Sequence, residues 1–559
     1  MIRTLLLATT LLAAIACGGK TPATVPAPPP QPVADLAPTK PLPPETKPMP
    51  PPVPTQTATA QDLAFPDEEF RAHQPAAAAP RAFKLPAVKP FTLKNGIKVY
   101  LVEQHTLPIV SMDLNFDGGS IVDPKGKEGL ASICMAMLTE GTEKLDKIGY
   151  SEALADVASS ISAYAGDDSQ GIGLSSLTKH LDATFALFAD TVRTPGLRDS
   201  DFDRMVKRRI ESVKQSRGTP SSIPGRVLNA ILYGHDHPLG AITTEESLKA
   251  ITLADCKQHI ATWLHPKNAR LFVVGDLNEA QVRKTFESSP LAAWTGAVPD
   301  EPRMPAPKTL AGRIFFVNVP KAAQSTVMVL QFGPKRTAPE YFANSMMSAV
   351  FGGSFTSRLN MNLREDKGYS YGSRGGFGYS KAYGTLSVNA PVQADSTYQT
   401  ILEIDRELKD LWSGQRPVTK EELEREKTNA ILALPGRFGT AGAALGQYRS
   451  LVYYGLRLDY FNTYVDKVSK VTDVQVKQSA AKNLRPGQAV YLVVGDGDAK
   501  MIVHNASAAK DAAADVRRLP YQKDGKQLTL REALTDLAKR GDVGAGGLVE
   551  LDVDGKQIH

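Results

Sequence analysis

Residues 251–276 read ITLADCKQHIATWLHPKNARLFVVGD, and residues 471–496 read VTDVQVKQSAAKNLRPGQAVYLVVGD. The two stretches align without a gap at an offset of 220 residues. The identities are Thr252 with Thr472, Lys257-Gln258 with Lys477-Gln478, Pro266 with Pro486, and the closing Val-Val-Gly-Asp at 273–276 and 493–496. So many matches without a gap predict a duplicated domain of about 200 residues, which is an ordinary domain size.

Each copy shows the same coarse order of predicted elements. Alternating and β-branched residues predict strands at its start, in KVYLVEQHTLPIVSMDLNF (98–116) and RIFFVNVPKAAQSTVMVLQF (313–332). Apolar residues at helical spacing then predict long helices, in DFDRMVKRRIESVKQ (201–215) and TYQTILEIDRELKDLW (397–412). Each copy closes with a helix and a terminal strand. This order predicts the α+β class, with two homologous α/β sandwich domains in which helices pack on a mostly antiparallel sheet.

Length and composition agree with several globular domains, since the chain has 559 residues, of which 42% are hydrophobic and 22% are charged. The predicted segments are a signal peptide (1–16), a proline-rich tether (17–85), an N-terminal domain (86–290), a linker (291–312), a C-terminal domain (313–505) and a C-terminal extension (506–559). In the extension, LTLREALTDLAKRG predicts a short helix and GLVELDVDGKQI predicts a strand pair around Asp554-Gly555. These patterns assign the extension no role.

The first residues, MIRTLLLATTLLAAIAC, predict a bacterial export signal, because Arg3 precedes an apolar run that is too short to span a bilayer. Ala14-Ile15-Ala16-Cys17 resembles a lipobox, in which the cysteine is acylated, although Ala14 departs from the usual leucine. We therefore predict lipidation at Cys17 and a position facing the periplasm. The outer membrane is favoured because Gly18 is not the aspartate associated with inner-membrane retention. A soluble periplasmic protein is the alternative, since Ala14-x-Ala16 also suits ordinary signal peptidase.

Fifteen prolines lie between Thr21 and Ala60. Such a segment cannot build a core and favours the extended polyproline II helix. At about 3.1 Å per residue it reaches on the order of 100 Å. We interpret it as a spacer that holds the folded domains away from a membrane.

Charge and cysteine content argue against nucleic-acid binding and against a fold held together by many disulfides. The net charge of +6 is spread along the chain, which favours a solvated surface over a nucleic-acid-binding one. Three cysteines are too few for a disulfide framework. Cys134 lies on the apolar helical stripe of GLASICMAMLTEGT (129–142), so we predict a free thiol in the core.

Several motifs share one order along the chain. In the first copy they are LKNGIKVYLVE (93–103), GGSIVDPKGKEGLA (118–131), EGT (140–142) and YGHDHPLG (233–240). In the second they are FGGSFTSRLNMNLREDKGYSYG (351–372) and VTKEEL (418–423). This order resembles the pitrilysin/insulinase family of zinc peptidases, in its processing-peptidase-like branch with two-domain subunits. The resemblance implies an insulinase-like fold over about residues 88 to 497.

The catalytic motif of that family is His-x-x-Glu-His, directly after Gly-Leu-Ala. Its spacing puts two imidazoles and a carboxylate on one helical face, where they bind zinc and activate water. Here the three positions are Ser132, Met135 and Ala136, which are poor ligands or none. Glu211 lies near the place of the family's third ligand, and an exposed helix glutamate is its favoured interpretation. We therefore expect this chain alone to bind no zinc and to be inactive.

Other patterns suggest no replacement site. His235 and His237 belong to a turn that the family has without a ligand role, so we predict loop histidines satisfied by their neighbours. His259 and His265 are six residues apart and fall on different sides of a helix. GSRGGFGY (372–379) superficially resembles an RNA-binding segment, but strand glycines near a substrate cleft are the better interpretation, and no nucleic-acid partner is expected.

The second copy retains a pair with chemical meaning. The family carries an Arg and a Tyr seven residues apart that bind substrate and stabilise the oxyanion, and the matching positions in LREDKGYSYG are Arg364 and Tyr371. Both side chains donate hydrogen bonds to a peptide carbonyl or its tetrahedral intermediate. The structural alternative is a salt bridge from Arg364 to Glu365 or Asp366, with Tyr371 packed on the sheet.

The family includes heterodimers in which one subunit holds zinc and the other supplies the Arg and Tyr. The resemblance therefore implies a non-catalytic, substrate-binding subunit of a heterodimeric zinc metallopeptidase that acts on peptides in the bacterial cell envelope. Its partner would be a catalytic insulinase-family subunit with His-x-x-Glu-His, from an adjacent gene, and zinc would be bound there. Two alternatives stay open. One is an inactive envelope binding or scaffold protein, and the other is a self-sufficient metallopeptidase.

Overall fold

Strands with alternating apolar residues build a six-stranded sheet in the first repeat. The computed structural model describes residues 85–296, 304–306, 312–505, 507–509 and 514–558. The first six strands are β1 (Lys89–Thr92), β2 (Lys98–Glu103), β3 (Ile109–Asp117), β4 (Ser160–Ala165), β5 (Ser169–Leu177) and β6 (Arg270–Gly275). They lie in the order β1-β2-β6-β3-β5-β4, and every neighbouring pair is antiparallel except β2 with β6.

Helices of the first repeat cover this sheet. They are α1 (Leu130–Met137), α2 (Lys147–Asp156), α3 (Leu181–Arg193), α4 (Asp199–Gly218), α5 (Ile223–Tyr233), α6 (Glu245–Lys249), α7 (Leu253–Trp263) and α8 (Glu279–Glu287). Aromatic residues of α3 and α8 meet in the core, where the rings of Phe185 and Phe286 lie 4.7 Å apart at a steep angle. Such edge-to-face contacts add to the burial of apolar surface that stabilises the layer.

The second repeat builds a sheet of the same size, but one strand comes from the C-terminal extension. The remaining strands are β7 (Ile314–Asn318), β8 (Gln324–Gly333), β9 (Arg374–Tyr379), β10 (Gly384–Gln393), β11 (Val490–Gly495), β12 (Ile502–His504), β13 (Arg518–Pro520), β14 (Gln522–Lys523), β15 (Lys526–Gln527) and β16 (Leu548–Leu551). The sheet has the order β16-β7-β11-β8-β10-β9. The pairs β16–β7 and β7–β11 are parallel, and the other three are antiparallel.

Nine further helices lie in the described residues of the second repeat and the extension. These are α9 (Tyr341–Phe351), α10 (Arg358–Asn360), α11 (Thr397–Ser413), α12 (Lys420–Leu432), α13 (Ala441–Tyr453), α14 (Tyr464–Ser469), α15 (Asp473–Asn483), α16 (Ala514–Arg517) and α17 (Leu530–Arg540). A π-helical segment, Met361–Asp366, continues α10. Within the residues that the structure describes, no helix is both long and apolar enough to cross a membrane.

The duplication predicted from residues 251–276 and 471–496 is visible in the elements. Helix α7 and strand β6 have counterparts in α15 and β11, and Thr252 and Thr472 each begin their helix with a capping box. A capping box satisfies backbone N–H groups at the start of a helix, so these threonines account for matching helix starts. The predicted α+β class, with two homologous domains in which helices pack on a mostly antiparallel sheet, is confirmed.

Each repeat also places a helix on the sheet of the other. On α5, Ile223, Val227 and Ile231 form an apolar cluster with valines of β11 such as Val490 and Val494. In return, α13 lies over β3 and β6 of the first sheet. The described residues therefore belong to one compact unit, Ala79–His559, in which each core is closed in part by the other repeat.

The extension differs in part from its predicted pattern. The predicted short helix is α17, but the strand pair around Asp554-Gly555 is reduced to a single bridge between Leu551 and Gln557. The strand β16 pairs instead along its whole length with β7. After β16, the carboxylate of Asp554 lies 2.9 Å from Arg217 and 2.7 Å from Arg226 of the first repeat. The extension therefore joins both repeats.

Candidate functional site

Helix α1 carries the positions of the missing zinc motif, and its start is held by the half-buried carboxylate of Asp123. Asp123 accepts hydrogen bonds of 2.8 Å from the backbone N–H groups of Gly129 and Ala131. Gly129 has φ +106°, which suits glycine and turns the chain into the helix. Burial raises the pKa of Asp123 to about 6, although the amide contacts oppose that shift.

The side chains at the three motif positions do not form a metal site. Met135 is fully buried and packs in the core of the first sheet, while Ser132 and Ala136 are half-buried. Arg209 of α4 donates a hydrogen bond from its guanidinium to the hydroxyl of Ser132. Zinc needs several nitrogen, sulfur or carboxylate donors, and a fixed guanidinium beside them opposes a second cation. These residues therefore do not fit zinc.

Glu211 stands apart from this helix. Its side chain is 70% exposed, and its carboxylate accepts a hydrogen bond of 2.8 Å from Lys214, one turn along α4. This is the exposed helix glutamate that the sequence favoured. Pairs of this kind between exposed groups contribute little to stability.

The histidines are satisfied locally. His237 accepts from the backbone N–H of Leu239 at 3.1 Å and contacts the carbonyl of Pro305 at 3.0 Å, while His235 lies 3.1 Å from the carbonyl of Gly555. His259 is buried on α7, where its Nε2 donates to the side-chain carbonyl of Gln170 at 2.9 Å. Over the described part of the chain, no group of three or more His, Cys, Asp or Glu side chains is arranged to hold a metal ion.

Cys134 is not a free thiol. It forms a disulfide with Cys256, which ties α1 to α7. The prediction of a buried position is confirmed, since both cysteines are fully buried, but the prediction of a free thiol is wrong. The partner lies 122 residues further along the chain, so local patterns did not identify the pair.

Arg364 lies on the π-helical segment after α10, a kind of helix that is rare and frequent at functional sites. Its Nε lies 3.1 Å from a carboxylate oxygen of Glu365, as the structural alternative predicted. Its guanidinium also lies over the ring of Phe355, 4.8 Å from the centroid. Phe355 is itself 52% exposed, so cation and ring form one solvent-facing surface. Sequence reasoning missed Phe355, although it stands within the same quoted motif.

Tyr371 does not pack on the sheet. Its side chain is 90% exposed, and no hydrogen bond reaches its hydroxyl from the part of the chain that the structure describes. The part of the structural alternative that concerns Tyr371 is therefore wrong. No hydrogen bond or ion pair among the described residues joins Arg364 or Tyr371 to the three motif positions on α1.

The glycines near this pair have a structural purpose. A β-bridge joins Gly352, at the end of α9, to Gly375 of β9, and the N–H of Gly375 donates to the carbonyl of Gly352 at 3.0 Å. A Cβ atom on Gly352 would come within 2.5 Å of the backbone nitrogen of Gly375. The glycines therefore permit close approach of helix and strand, and Gly375 belongs to strand β9, as the interpretation of strand glycines predicted.

A groove of about 1050 Å³ lies elsewhere in the second repeat, where α9, α14 and α15 meet. Its lining includes Arg336, whose guanidinium stacks on Tyr341 at 3.4 Å and donates to the hydroxyl of Tyr460 at 2.9 Å. The groove contains none of the predicted site residues.

Comparison with known proteins agrees with this architecture. Residues 98–240 match the model of the insulinase family, peptidase family M16, and residues 250–430 match that of the peptidase M16 inactive domain. Together the matches cover more than half of the chain.

Individual relatives have low sequence identity to this chain, but the similarity covers most of their length. A protein of Helicobacter pylori named non-peptidase homolog YmxG is 22% identical over 378 residues, which is 67% of this chain and 86% of that protein. The solved peptidase M16 inactive domain from Pseudomonas fluorescens has a TM-score of 0.67 at 24% identity and covers 73% of this chain and 98% of that one. A protease from Helicobacter pylori has a TM-score of 0.65 at 20% identity, over 73% of this chain and 99% of that one. The chain therefore belongs to the insulinase family, peptidase family M16, as a non-catalytic member that lacks the His-x-x-Glu-His motif.

Proposed function

We propose that this chain is the substrate-binding subunit of a heterodimeric zinc metallopeptidase that acts on peptides in the bacterial cell envelope. Its partner would be a catalytic subunit with His-x-x-Glu-His, and that partner would bind the zinc. Arg364 and Tyr371 would come from this chain. They would donate hydrogen bonds to the carbonyl of the bound peptide and to the oxyanion that develops from it.

The observation that carries the proposal is the exposure of this pair. Tyr371 is 90% exposed and makes no hydrogen bond to any described residue, and the guanidinium of Arg364 faces solvent above Phe355. A large aromatic side chain that packs on nothing adds little to the stability of its own fold. Its donor is free for a ligand, and the neighbouring cation and ring offer a charged and an apolar contact to a peptide.

Two further observations support the proposal. Arg209 donates a hydrogen bond to Ser132 at one position of the missing motif, which supports placing the catalytic zinc in a partner. The disulfide between Cys134 and Cys256 suits an oxidising compartment such as the periplasm. Lipidation at Cys17, which lies outside the described residues, would place the subunit at the envelope.

The decisive experiment is reconstitution. The chain is purified together with co-purifying proteins, and a partner with His-x-x-Glu-His is expressed with it. We expect zinc in the pair but not in this chain alone, with peptide cleavage only by the pair. Arg364→Ala and Tyr371→Phe should each lower kcat by about a hundredfold, the usual effect of removing one oxyanion donor. Arg457→Ala is the matched control, because Arg457 is an exposed arginine that pairs with Asp459.

Each alternative has its own outcome. Unchanged cleavage in the double variant Arg364→Ala/Tyr371→Phe would support a binding or scaffold protein. Stoichiometric zinc in the purified chain alone, with cleavage, would support a self-sufficient metallopeptidase.

For localisation, Cys17→Ser should abolish metabolic labelling with palmitate and shift the protein from the membrane to the soluble envelope fraction. Equal fractionation of the two forms would contradict the anchor.

A further inference from the structure

The C-terminal extension contacts the loop between Arg364 and Tyr371, which we call the Arg/Tyr loop (residues 364–371). Arg517, at the end of α16, donates a hydrogen bond of 2.8 Å from Nη2 to the backbone carbonyl of Asp366. The contact joins residues 151 positions apart. A guanidinium bond to a carbonyl is charge-assisted and directional, so it restrains the loop backbone at this point.

Arg518 reaches the same loop through one intermediate. Its Nη1 donates to the side-chain carbonyl of Gln393 at 2.6 Å, and its Nη2 donates to Asp395 at 2.5 Å and Ser396 at 2.7 Å. The amide of Gln393 in turn donates to the carbonyl of Gly368 at 3.3 Å. The backbone N–H of Gln393 also donates to the carbonyl of Tyr369 at 3.0 Å. Arg518 therefore orients the residue that holds the far half of the loop.

Backbone contacts matter most at the Tyr371 end of the loop, since the side chain of Arg364 is already held by Glu365 and Phe355. Tyr371 packs on nothing in the described structure, so its position follows from the backbone before it. That backbone reverses direction at Gly368, which has φ +66° and whose N–H donates to the carbonyl of Arg364 at 3.1 Å. Glycine adopts this positive φ at little steric cost, but it also has the freedom to leave it. The two contacts from the extension restrain the backbone at this turn.

The extension is itself well anchored. The strand that begins with Arg518 pairs with β12, and the ring of Tyr521 stacks on Tyr398 of α11 at 4.4 Å. Arg540 of α17 donates to the hydroxyl of the same Tyr398 at 2.8 Å. The backbone that carries Arg517 and Arg518 is therefore held in place by the rest of the second repeat.

We infer that the C-terminal extension holds the Arg/Tyr loop in its binding geometry, with Arg517 and Arg518 as positioning residues. This inference rests on the proposed function for the role of the loop. The restraint on the loop backbone is a separate, physical claim. The extension would then have a role besides supplying β16, and both arginines would act through the loop backbone.

Amide hydrogen exchange of the full chain tests the restraint without any partner. In Arg517→Ala/Arg518→Ala we expect the amides of Gly368, Tyr369 and Gly372 to exchange about tenfold faster, while amides of the β8–β10 ladder keep their rates. Lys526→Ala is the matched control, since Lys526 pairs with Glu532 within the extension. If the double variant fails to fold, Gln393→Ala takes its place, because Gln393 is exposed and joins Arg518 to Gly368. Unchanged exchange in the loop overturns the inference.

Cleavage by the reconstituted pair then tests the link to function. We expect Arg517→Ala/Arg518→Ala to lower kcat about ten- to hundredfold, since small displacements of a binding group have effects of this size. In the Tyr371→Phe and Arg364→Ala background the same change should add little, because the arginines act through the loop. Full additivity overturns the positioning role. If no zinc-bearing partner exists, the proposed function fails, and the exchange rates still decide the restraint.

Discussion

The guanidinium of Arg209 donates a hydrogen bond to the hydroxyl of Ser132, so an arginine of α4 occupies the neighbourhood of a lost zinc-ligand position on α1. Three residues further along α1, Met135 is fully buried among apolar residues of the first sheet. Where the family has its metal-binding motif, this helix therefore presents Met135 to the core. Restoring single motif residues should harm the fold before it restores a site.

Met135→Glu tests this packing role. The substitution puts a carboxylate into the core in place of a thioether, so we expect the free energy of unfolding to fall by about 3 kcal/mol or more. Urea unfolding of the purified chain measures the change. Met135→Leu, which keeps volume and polarity, should cost less than about 1.5 kcal/mol. Equal stability of the glutamate and leucine variants would show that this face of α1 is open to solvent.

The disulfide between Cys134 and Cys256 should stabilise the first repeat strongly. It closes a long loop whose ends are 122 positions apart, and cross-links of this kind contribute about 2–5 kcal/mol. Cys134→Ala/Cys256→Ala should therefore lower the Tm, and a reducing agent should lower that of the natural protein but not that of the variant. Thiol labelling before and after reduction provides the count of free cysteines. Labelling of Cys134 and Cys256 in the unreduced, unfolded protein would contradict the bond.

The sequence predicted the features that local pattern controls. The gapless match of residues 251–276 with 471–496 includes both helix-starting threonines, and the capping boxes at Thr252 and Thr472 confirm why that local signal was reliable. The ion pair between Arg364 and Glu365 was also predictable, because the two residues are neighbours in the chain.

Features that depend on distant partners were missed. Strand β16 pairs with residues near Ile314, more than 200 positions earlier, whereas its own pattern suggested only a local hairpin. Arg209 and Ser132 are 77 residues apart, and neither shows by itself that they meet. The alternative in which Tyr371 packs on the sheet was wrong for a related reason: the residue type alone does not reveal that the side chain faces solvent.

His259 should make stability depend on pH. Burial lowers the pKa of its imidazole to about 4, while an exposed histidine has a pKa near 6.5. Below pH 6.5 the unfolded chain binds a proton that the folded chain does not, so stability is complete above pH 6.5 and is lost as pH falls towards 4. The expected loss is about 3 kcal/mol at pH 4.

The measurement is the difference in unfolding free energy between the natural chain and His259→Gln from pH 8 to pH 4. The variant keeps a polar group beside Gln170 but cannot take up the proton, so the natural chain should lose more stability on acidification. A difference is needed because Asp123, with its raised pKa, adds a contribution of the opposite sign between about pH 6 and pH 4. Parallel curves for the two proteins would contradict the assignment.

Arg449 of the second repeat and Asp113 of the first form an ion pair between the repeats, at 3.1 Å. Asp113 is buried on β3, where the hydroxyl of Tyr164 also donates to it at 3.1 Å. Burial raises the pKa of the Asp113 carboxyl, and Arg449 counteracts that shift. Arg449→Met leaves a buried carboxylate without its counter-charge, so we expect a loss of about 2–4 kcal/mol at neutral pH.

The pH dependence of that loss identifies its cause. Without Arg449 the pKa of Asp113 rises further, and a group with a raised folded pKa loses stability as pH rises, so Arg449→Met should be less destabilising at pH 5 than at pH 8. Asp113→Asn/Arg449→Met removes the charge altogether and should recover most of the loss at pH 8, as measured by urea unfolding. If the double variant is no more stable than Arg449→Met, the helix α13 is held on the first sheet by apolar packing alone, and the ion pair does not fasten the two repeats together.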